Sequence, residues 1–302
     1  MKKVLGISFF ILLAALASVL IFQVFASKTG QSVNRPIKLS SQTTNKVVAK
    51  SSDTSKKDAT SQALAPEDKQ KTEPKWTKSD TPIKFPILMY HHIADVVNGN
   101  TLFVPANEFK MEMTALKNAG YYTLSPDEAY RVLTTNEKPA DKIVWVTFDD
   151  GYKNAQETAV PILTELGMKG SFFIITGMIG NEDKMADSGL LAIKSNPLMS
   201  LGSHTVNHLD LQYATQDVAT KELVESKQYL DSLLQQDTSV ICYPSGRYNE
   251  QTPALATAAG YKLGLTTHPG LASSTDGLLS LNRVRMAYGQ TETSFMTLIG
   301  NQ

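Results

Sequence analysis

Cysteine is nearly absent from this chain: Cys242 stands alone among 302 residues. No intrachain disulfide is available, and the expected place of a lone thiol is a small apolar pocket in a core. Net charge is absent too, with 29 Lys and Arg against 29 Asp and Glu. That balance hides an uneven distribution. Between Met1 and Ser27 the only charges are Lys2 and Lys3, and Val4 to Ser27 is an uncharged, mostly apolar stretch of 24 residues. A helix crossing a bilayer takes about 20 such residues, whereas the apolar part of a cleaved signal takes about 7–15. Residues 1–27 are therefore expected to be a signal anchor rather than a cleaved signal peptide, although Val24-Phe25-Ala26 resembles a cleavage site. Two lysines ahead of the stretch favour an inside N-terminus and an outside body. Internal repeats are also missing.

Aromatics are scarce in residues 28–80, where Trp76 is the sole example and Lys and Arg outnumber Asp and Glu 11 to 6. So little apolar surface cannot offset chain entropy, and the segment reads as a disordered Ser/Thr/Lys-rich stalk. As a coil it would span about 40 Å, enough to hold a domain off a membrane and within a cell wall. Residues 81–302 reverse the sign, with 16 basic against 23 acidic side chains. An acidic body argues against nucleic acid as a partner. All five histidines lie in it.

Within that body, apolar runs alternate with helical periodicity. Strands are expected at Ile87–Tyr90, Ile143–Phe148, Ser171–Thr176, Val240–Tyr243 and Leu263–Thr266. Helices are expected at Asn107–Ala119, Ala155–Leu166, 215–235 and Thr252–Ala259, three of them stopped by Gly120, Gly167 and Gly260. Val218, Leu223, Leu230 and Leu234 supply the apolar positions of the long one. Alternation of this kind gives an α/β fold, a parallel sheet closed or partly closed into a barrel, with chemistry at the carboxyl ends of its strands.

Two motifs sit where that chemistry belongs. Asp149-Asp150-Gly151 follows the run ending at Phe148, and His204 and His208 are four residues apart after Leu201-Gly202-Ser203. One carboxylate and two imidazoles make a three-ligand cation site with a position left for water. The same set describes a non-haem iron oxygenase, but the surplus acid, Asp149, tips the balance towards hydrolysis, which needs a base for the water. Asn207 and Asp210 are candidate supports for the imidazoles.

Thr147–Gly151, His204–His208 and Tyr243-Pro244-Ser245-Gly246 together resemble the polysaccharide deacetylases of carbohydrate esterase family 4, the NodB-homology domain. The resemblance covers essentially all of 81–302. It implies a distorted (β/α) barrel of about seven strands, a divalent metal, usually Zn2+, and removal of acetyl groups from N-acetylhexosamine polymers. It makes Asp149 the catalytic base, Asp150, His204 and His208 the metal ligands, and the Ser245 backbone amide an oxyanion donor. Two features of the family are missing: Cys242 replaces an Arg two residues before Pro244, and Leu281-Asn282-Arg283 has Arg where a late His serves as general acid. Both fit the branch that deacetylates poly-β-1,6-N-acetylglucosamine, in which the acid is early. Leu88-Met89-Tyr90-His91-His92 then supplies it as His91, His92 being a bystander. Tyr152 and the Tyr-Pro-x-Gly form of the third motif match that branch as well.

Arg283 and Arg285 alternate on one strand face, and one of them is a candidate to orient Asp149. Tyr90, Tyr152 and Tyr243, with Pro244, are candidate sugar contacts, and His268 is expected in a loop. The expected function is N-deacetylation of an extracellular polysaccharide by an exported, membrane-attached or wall-secreted enzyme. Peptidoglycan N-acetylglucosamine, O-acetyl ester hydrolysis and a non-catalytic glycan-binding relic are the alternatives.

Overall fold

The structure, a computed structural model, describes residues 74–300. The expected anchor at 1–27 and nearly all of the expected stalk lie outside them. Among the described residues no helix is long and apolar enough to cross a membrane. Packing starts earlier than Thr81. Thr77–Lys78 pairs antiparallel with Glu137–Lys138, and the Arg131 guanidinium lies 4.1 Å over the Trp76 ring. The lone aromatic of the polar stretch thus belongs to the body.

Seven parallel strands form a closed ring: β1 (Ile87–Tyr90), β2 (Ile143–Phe148), β3 (Gly170–Ile174), β4 (Met199–Ser203), β5 (Val240–Cys242), β6 (Leu263–Pro269) and β7 (Leu281–Arg285). They neighbour one another in chain order, and β7 and β2 both pair with β1 to close the circle. The short strand Tyr122–Thr123 adds outside the ring to the start of β2. Among the described residues seven helices accompany the ring: α1 (Ala106–Asn118), α2 (Pro126–Thr135), α3 (Lys153–Leu166), α4 (Asp187–Lys194), α5 (Gln216–Leu234), α6 (Thr252–Ala258) and α7 (Glu292–Gly300). The barrel expected from the sequence is present. Apolar periodicity does not mark α2, α4 and α7, while β4 and β7 are marked only by the strand end Leu201-Gly202-Ser203 and by the alternation of Arg283 and Arg285. α2 is set locally: Ser125 and Glu128 bond each other's backbone N–H in a capping box, and Pro126 opens the first turn.

The pleat decides which residues meet inside. On β2, Ile143 and Trp145 share one core cluster with Ile87, Phe173, Cys242, Leu265 and Leu281, while Val144, Val146 and Phe148 pack outward with α1 and α3 residues such as Phe109 and Leu163. Period-two continuation of the inward series reaches Asp149 on β2, His91 on β1 and Arg283 on β7. Gly202 is required on β4, because a Cβ there would run into the ring of Phe173, its register partner on β3. The lower barrel is thus sealed by apolar side chains, and its carboxyl end is left for polar ones.

Candidate active site

β2 delivers two carboxylates in different directions. Asp149 keeps the inward pleat and is 3% exposed, whereas Asp150 turns out of it at φ 70 and is followed by Gly151 at φ 67. Left-handed geometry is unusual for Asp, and Gly151 permits the second step of the turn. Across the ring, His204 follows β4 directly, with its backbone N–H on the Ile174 carbonyl at 2.8 Å. The segment 204–208 is a turn, not a helix. Thr205 and His208 both have positive φ, and the Thr205 hydroxyl accepts the His208 N–H at 3.1 Å.

These turns bring three ligand atoms together. His204 Nε2 is 3.2 Å and His208 Nε2 3.5 Å from Asp150 Oδ1. His204 Nδ1 bonds the Cys242 carbonyl at 2.7 Å, which places the ring proton there and leaves Nε2 with a lone pair facing Asp150. Burial opposes charge on Asp150, but His204, His91 and His208 outweigh it and hold its pKa below the ordinary carboxylate range. Burial likewise works against a charged His204, yet Cys242 and Asp150 hold its pKa well above the ordinary imidazole value. An oxygen and two nitrogens converging on one point are a donor set that suits a divalent cation. A second grouping of similar size, Asp149, His204 and Cys242, is less suited. Arg283 already lies on both Asp149 oxygens and 3.1 Å from Cys242 Sγ, and would repel another cation.

Arg283 organises the other half of the site. Its guanidinium is fully buried and forms a fork on Asp149, Nη1 to Oδ1 at 2.8 Å and Nη2 to Oδ2 at 2.6 Å. Nε donates to the Thr266 carbonyl at 2.7 Å and Nη1 to Thr147 Oγ1 at 3.2 Å. Burial pushes the Asp149 carboxyl up, but the Arg283 charge and hydrogen bonds bring it down to about 2. Arg283 thus reaches Asp149 from β7, and Cys242 on β5, two residues before Pro244, lies against the same guanidinium. Arg285, at the end of the same strand, is exposed.

His91 Nε2 is 4.0 Å from Asp149 Oδ2. Burial lowers its pKa to about 4, only partly countered by the two aspartates. The resting imidazole is thus neutral at pH 7, more completely so than an ordinary histidine. Ser245 sits in the turn Pro244–Gly246 with φ 53, and among the described hydrogen bonds none uses its N–H. Pro244 is buried beneath it.

Of the candidate sugar contacts, Tyr90 and Tyr243 are both 0% exposed. Tyr90 points outward from the ring, donating to Glu112 Oε2 at 2.6 Å, and Tyr243 packs in a core cluster under α5 and α6. Neither offers a face to a glycan. Tyr152 lies in a column in which Lys184 Nζ is 3.3 Å over its ring, His92 stacks on its other face at 3.5 Å, and Phe103 continues at 4.0 Å. His92 is a packed member of that column. His268 lies at the exposed end of β6 rather than in a loop.

Asn207 and Asp210 do not bond the imidazoles; Asn207 donates to Glu222 Oε1 at 2.6 Å and Asp210 pairs with Arg247 at 2.9 Å. Glu222 of α5 does the supporting instead, accepting the Val206 and Asn207 N–H groups at 2.9 and 2.8 Å. Its signal in the sequence is a carboxylate three residues from Ala219 and four from Ser226 on the helix's buried stripe. Val218, by contrast, is 41% exposed, because that stripe runs through Ala219 rather than through it.

Comparison with known proteins agrees with this geometry. The polysaccharide deacetylase family model matches residues 136–264. YxkH of Bacillus subtilis (strain 168), which bears a polysaccharide deacetylase name, is 40% identical over 220 residues, 73% of this chain and 77% of YxkH. The poly-beta-1,6-N-acetyl-D-glucosamine N-deacetylase of Staphylococcus aureus (strain N315) is 27% identical over 178 residues, 54% of this chain and 60% of its own length. Among solved structures, Streptococcus pyogenes deacetylase PplD in complex with acetate is 42% identical, with a TM-score of 0.70 over 72% of this chain and 99% of PplD. The chain belongs to the polysaccharide deacetylases of carbohydrate esterase family 4, hydrolases of N-acetyl amide bonds.

Proposed function

We propose that this enzyme removes N-acetyl groups from N-acetylglucosamine units of an extracytoplasmic polysaccharide, poly-β-1,6-N-acetylglucosamine above all, using a cation held by Asp150, His204 and His208. The observation that carries the reading is the meeting of those three ligand atoms beside a carboxylate kept ionised by Arg283. When bound, a divalent cation such as Zn2+ lowers the pKa of water and polarises the acetyl carbonyl.

The chain's own groups do the rest. Asp149 takes a proton as the water oxygen bonds the carbonyl carbon. The Ser245 N–H, free and held forward by its left-handed backbone, stabilises the oxyanion. The C–N bond then breaks towards the amine, which needs a proton. His91 is neutral at rest and 4.0 Å from Asp149 Oδ2, so the proton it passes to the nitrogen is the one Asp149 removed from water. Acetate and a glucosamine unit leave.

The early His91 and the absence of an Arg at position 242 favour the β-1,6-linked polymer. The basic stretch 28–80 and the apolar stretch at Val4 to Ser27 support an exported enzyme attached to the membrane, within reach of wall polymers. The test is acetate release from β-1,6-linked poly-N-acetylglucosamine, from peptidoglycan and from O-acetylated glycans, after chelation and with Zn2+ restored. Zinc-dependent release from the β-1,6 polymer is expected. Preference for peptidoglycan would move the substrate, preference for O-acetyl esters the bond, and no release from any glycan would refute the catalytic reading.

A further inference from the structure

The two tyrosines first suited to a sugar contact are core residues, and the open aromatic surface lies elsewhere. A depression of about 610 Å³ opens on the same rim as the ligand atoms, within the size range of small-molecule sites. Three rim segments wall it. Gln212 and Tyr213 continue the loop that carries His208, Gly246 to Glu250 continue the turn that carries Ser245, and His268 stands at the end of β6. The second and third walls are joined where the Thr267 hydroxyl donates to the Ser245 carbonyl at 3.1 Å. The wall is thus continuous with the turn presenting the oxyanion donor.

Its chemistry is that of a pyranose site. Tyr213 is 78% exposed, the most exposed large apolar side chain among the described residues. Tyr248 leans on buried Tyr243 at 5.1 Å and faces His268 at 6.0 Å, which fixes its ring. Flat rings accept the C–H face of a hexose by dispersion. Polar groups for its hydroxyls stand at the edge. Arg247 gives one N–H to Asp210 and leaves a side chain 59% exposed, and Glu250 is exposed beside it. Asn249 is not among them, since its amide is consumed in shaping the loop through Leu211, Gln251 and Thr252.

We infer that this depression is a binding subsite for a hexosamine unit of the polymer next to the one being deacetylated, with Tyr213 as its stacking platform. The inference rests on the function proposed above and adds a reason for the enzyme to prefer chains over single sugars. Because Tyr213 touches no reacting atom in this account, it determines binding and not the chemical step.

The test uses the full-length chain with zinc and β-1,6-linked N-acetylglucosamine oligomers of one to six units. Wild-type kcat/KM is expected to climb with length. Tyr213→Ala should cut that climb about tenfold, chiefly through KM. Tyr130→Ala, a partly exposed tyrosine on α2, should keep the wild-type climb. An undiminished climb in Tyr213→Ala, or an equal fall in Tyr130→Ala, overturns the subsite while the deacetylase reading stands. A wild-type enzyme that releases no acetate from any oligomer overturns that reading, and the subsite with it.

Discussion

Arg283→Met tests the load-sharing inside the barrel most directly. Methionine approximates the arginine stem, so the change removes charge and hydrogen bonds with little loss of packing. Arg283 makes the fork on Asp149 and further bonds to Thr266, Thr147 and Cys242. The drop of the Asp149 pKa from 3.8 to about 2 corresponds to roughly 2–3 kcal/mol in favour of the ionised form. Asp149 is a group depressed on folding, so that stability is present above its unfolded pKa and lost as pH falls towards 2. Without Arg283 the same burial has no counterweight, and leaving a buried partner uncompensated costs about 3–5 kcal/mol. Arg283→Met is therefore expected to lose that much in urea unfolding at pH 7 and to lose acetate release. Asp149→Asn should also be inactive, with cation binding retained. In a double-mutant cycle, Arg283→Met with Asp149→Asn should recover at least about 1–2 kcal/mol relative to additivity, because the stranded charge is gone. An additive cycle, or an Arg283→Met protein with wild-type stability and turnover, would refute the assignment of Arg283 as the group that keeps Asp149 charged.

Other expectations follow from separate parts of the molecule. Asp150→Asn should abolish stoichiometric Zn2+ uptake; in wild type, zinc at about 100 times its Kd should add about 2.7 kcal/mol to unfolding, read as a rise in Tm that Asp150→Asn lacks. Burial pushes the Glu112 carboxyl up to about 8, the Tyr90 hydrogen bond opposing it only in part. Its stabilising contribution is thus present below its unfolded pKa of 4.5 and lost as pH rises through 8, a change on the order of 3–5 kcal/mol. Glu112→Gln should flatten urea midpoints across that window and exceed wild type at pH 9; parallel curves would count against it. Gly246→Ala should drive a methyl into Thr267 and strain a φ of 68, tilting Ser245 and lowering kcat about 10²–10³-fold, as loss of one oxyanion donor does. Normal kcat there would remove Ser245 from the mechanism.

Much of the site was legible because strand pleat and turn chemistry are local. Apolar Ile143 to Phe148 had to be a buried strand, and the acids after it had to emerge at its end. His204 could be placed for the same reason, after Ser203. What local reasoning could not supply was the partner across the ring. Arg283 and Arg285 share a strand face, yet one is sealed against Asp149 and the other is exposed, a difference set by where the barrel ends rather than by periodicity. Tyr90 and Tyr243 illustrate the reverse error. Both lie at strand ends, but on outward faces covered by helices. Glu222 and Glu112 are carboxylates on buried helix faces, and only packing shows that one supports the histidine turn while the other binds Tyr90.

Of the seven non-glycine residues with positive φ among the described residues, four are Asp150, Thr205, His208 and Ser245. Each such conformation costs on the order of 1–3 kcal/mol, and Asp150 and His208 cannot be exchanged for glycine without losing a donor atom. Heat tolerance in this enzyme must therefore be sought away from its mouth, for instance on the helical shell. A library selected for thermal survival alone should drift towards relaxed residues at these four positions and yield durable proteins that no longer turn over.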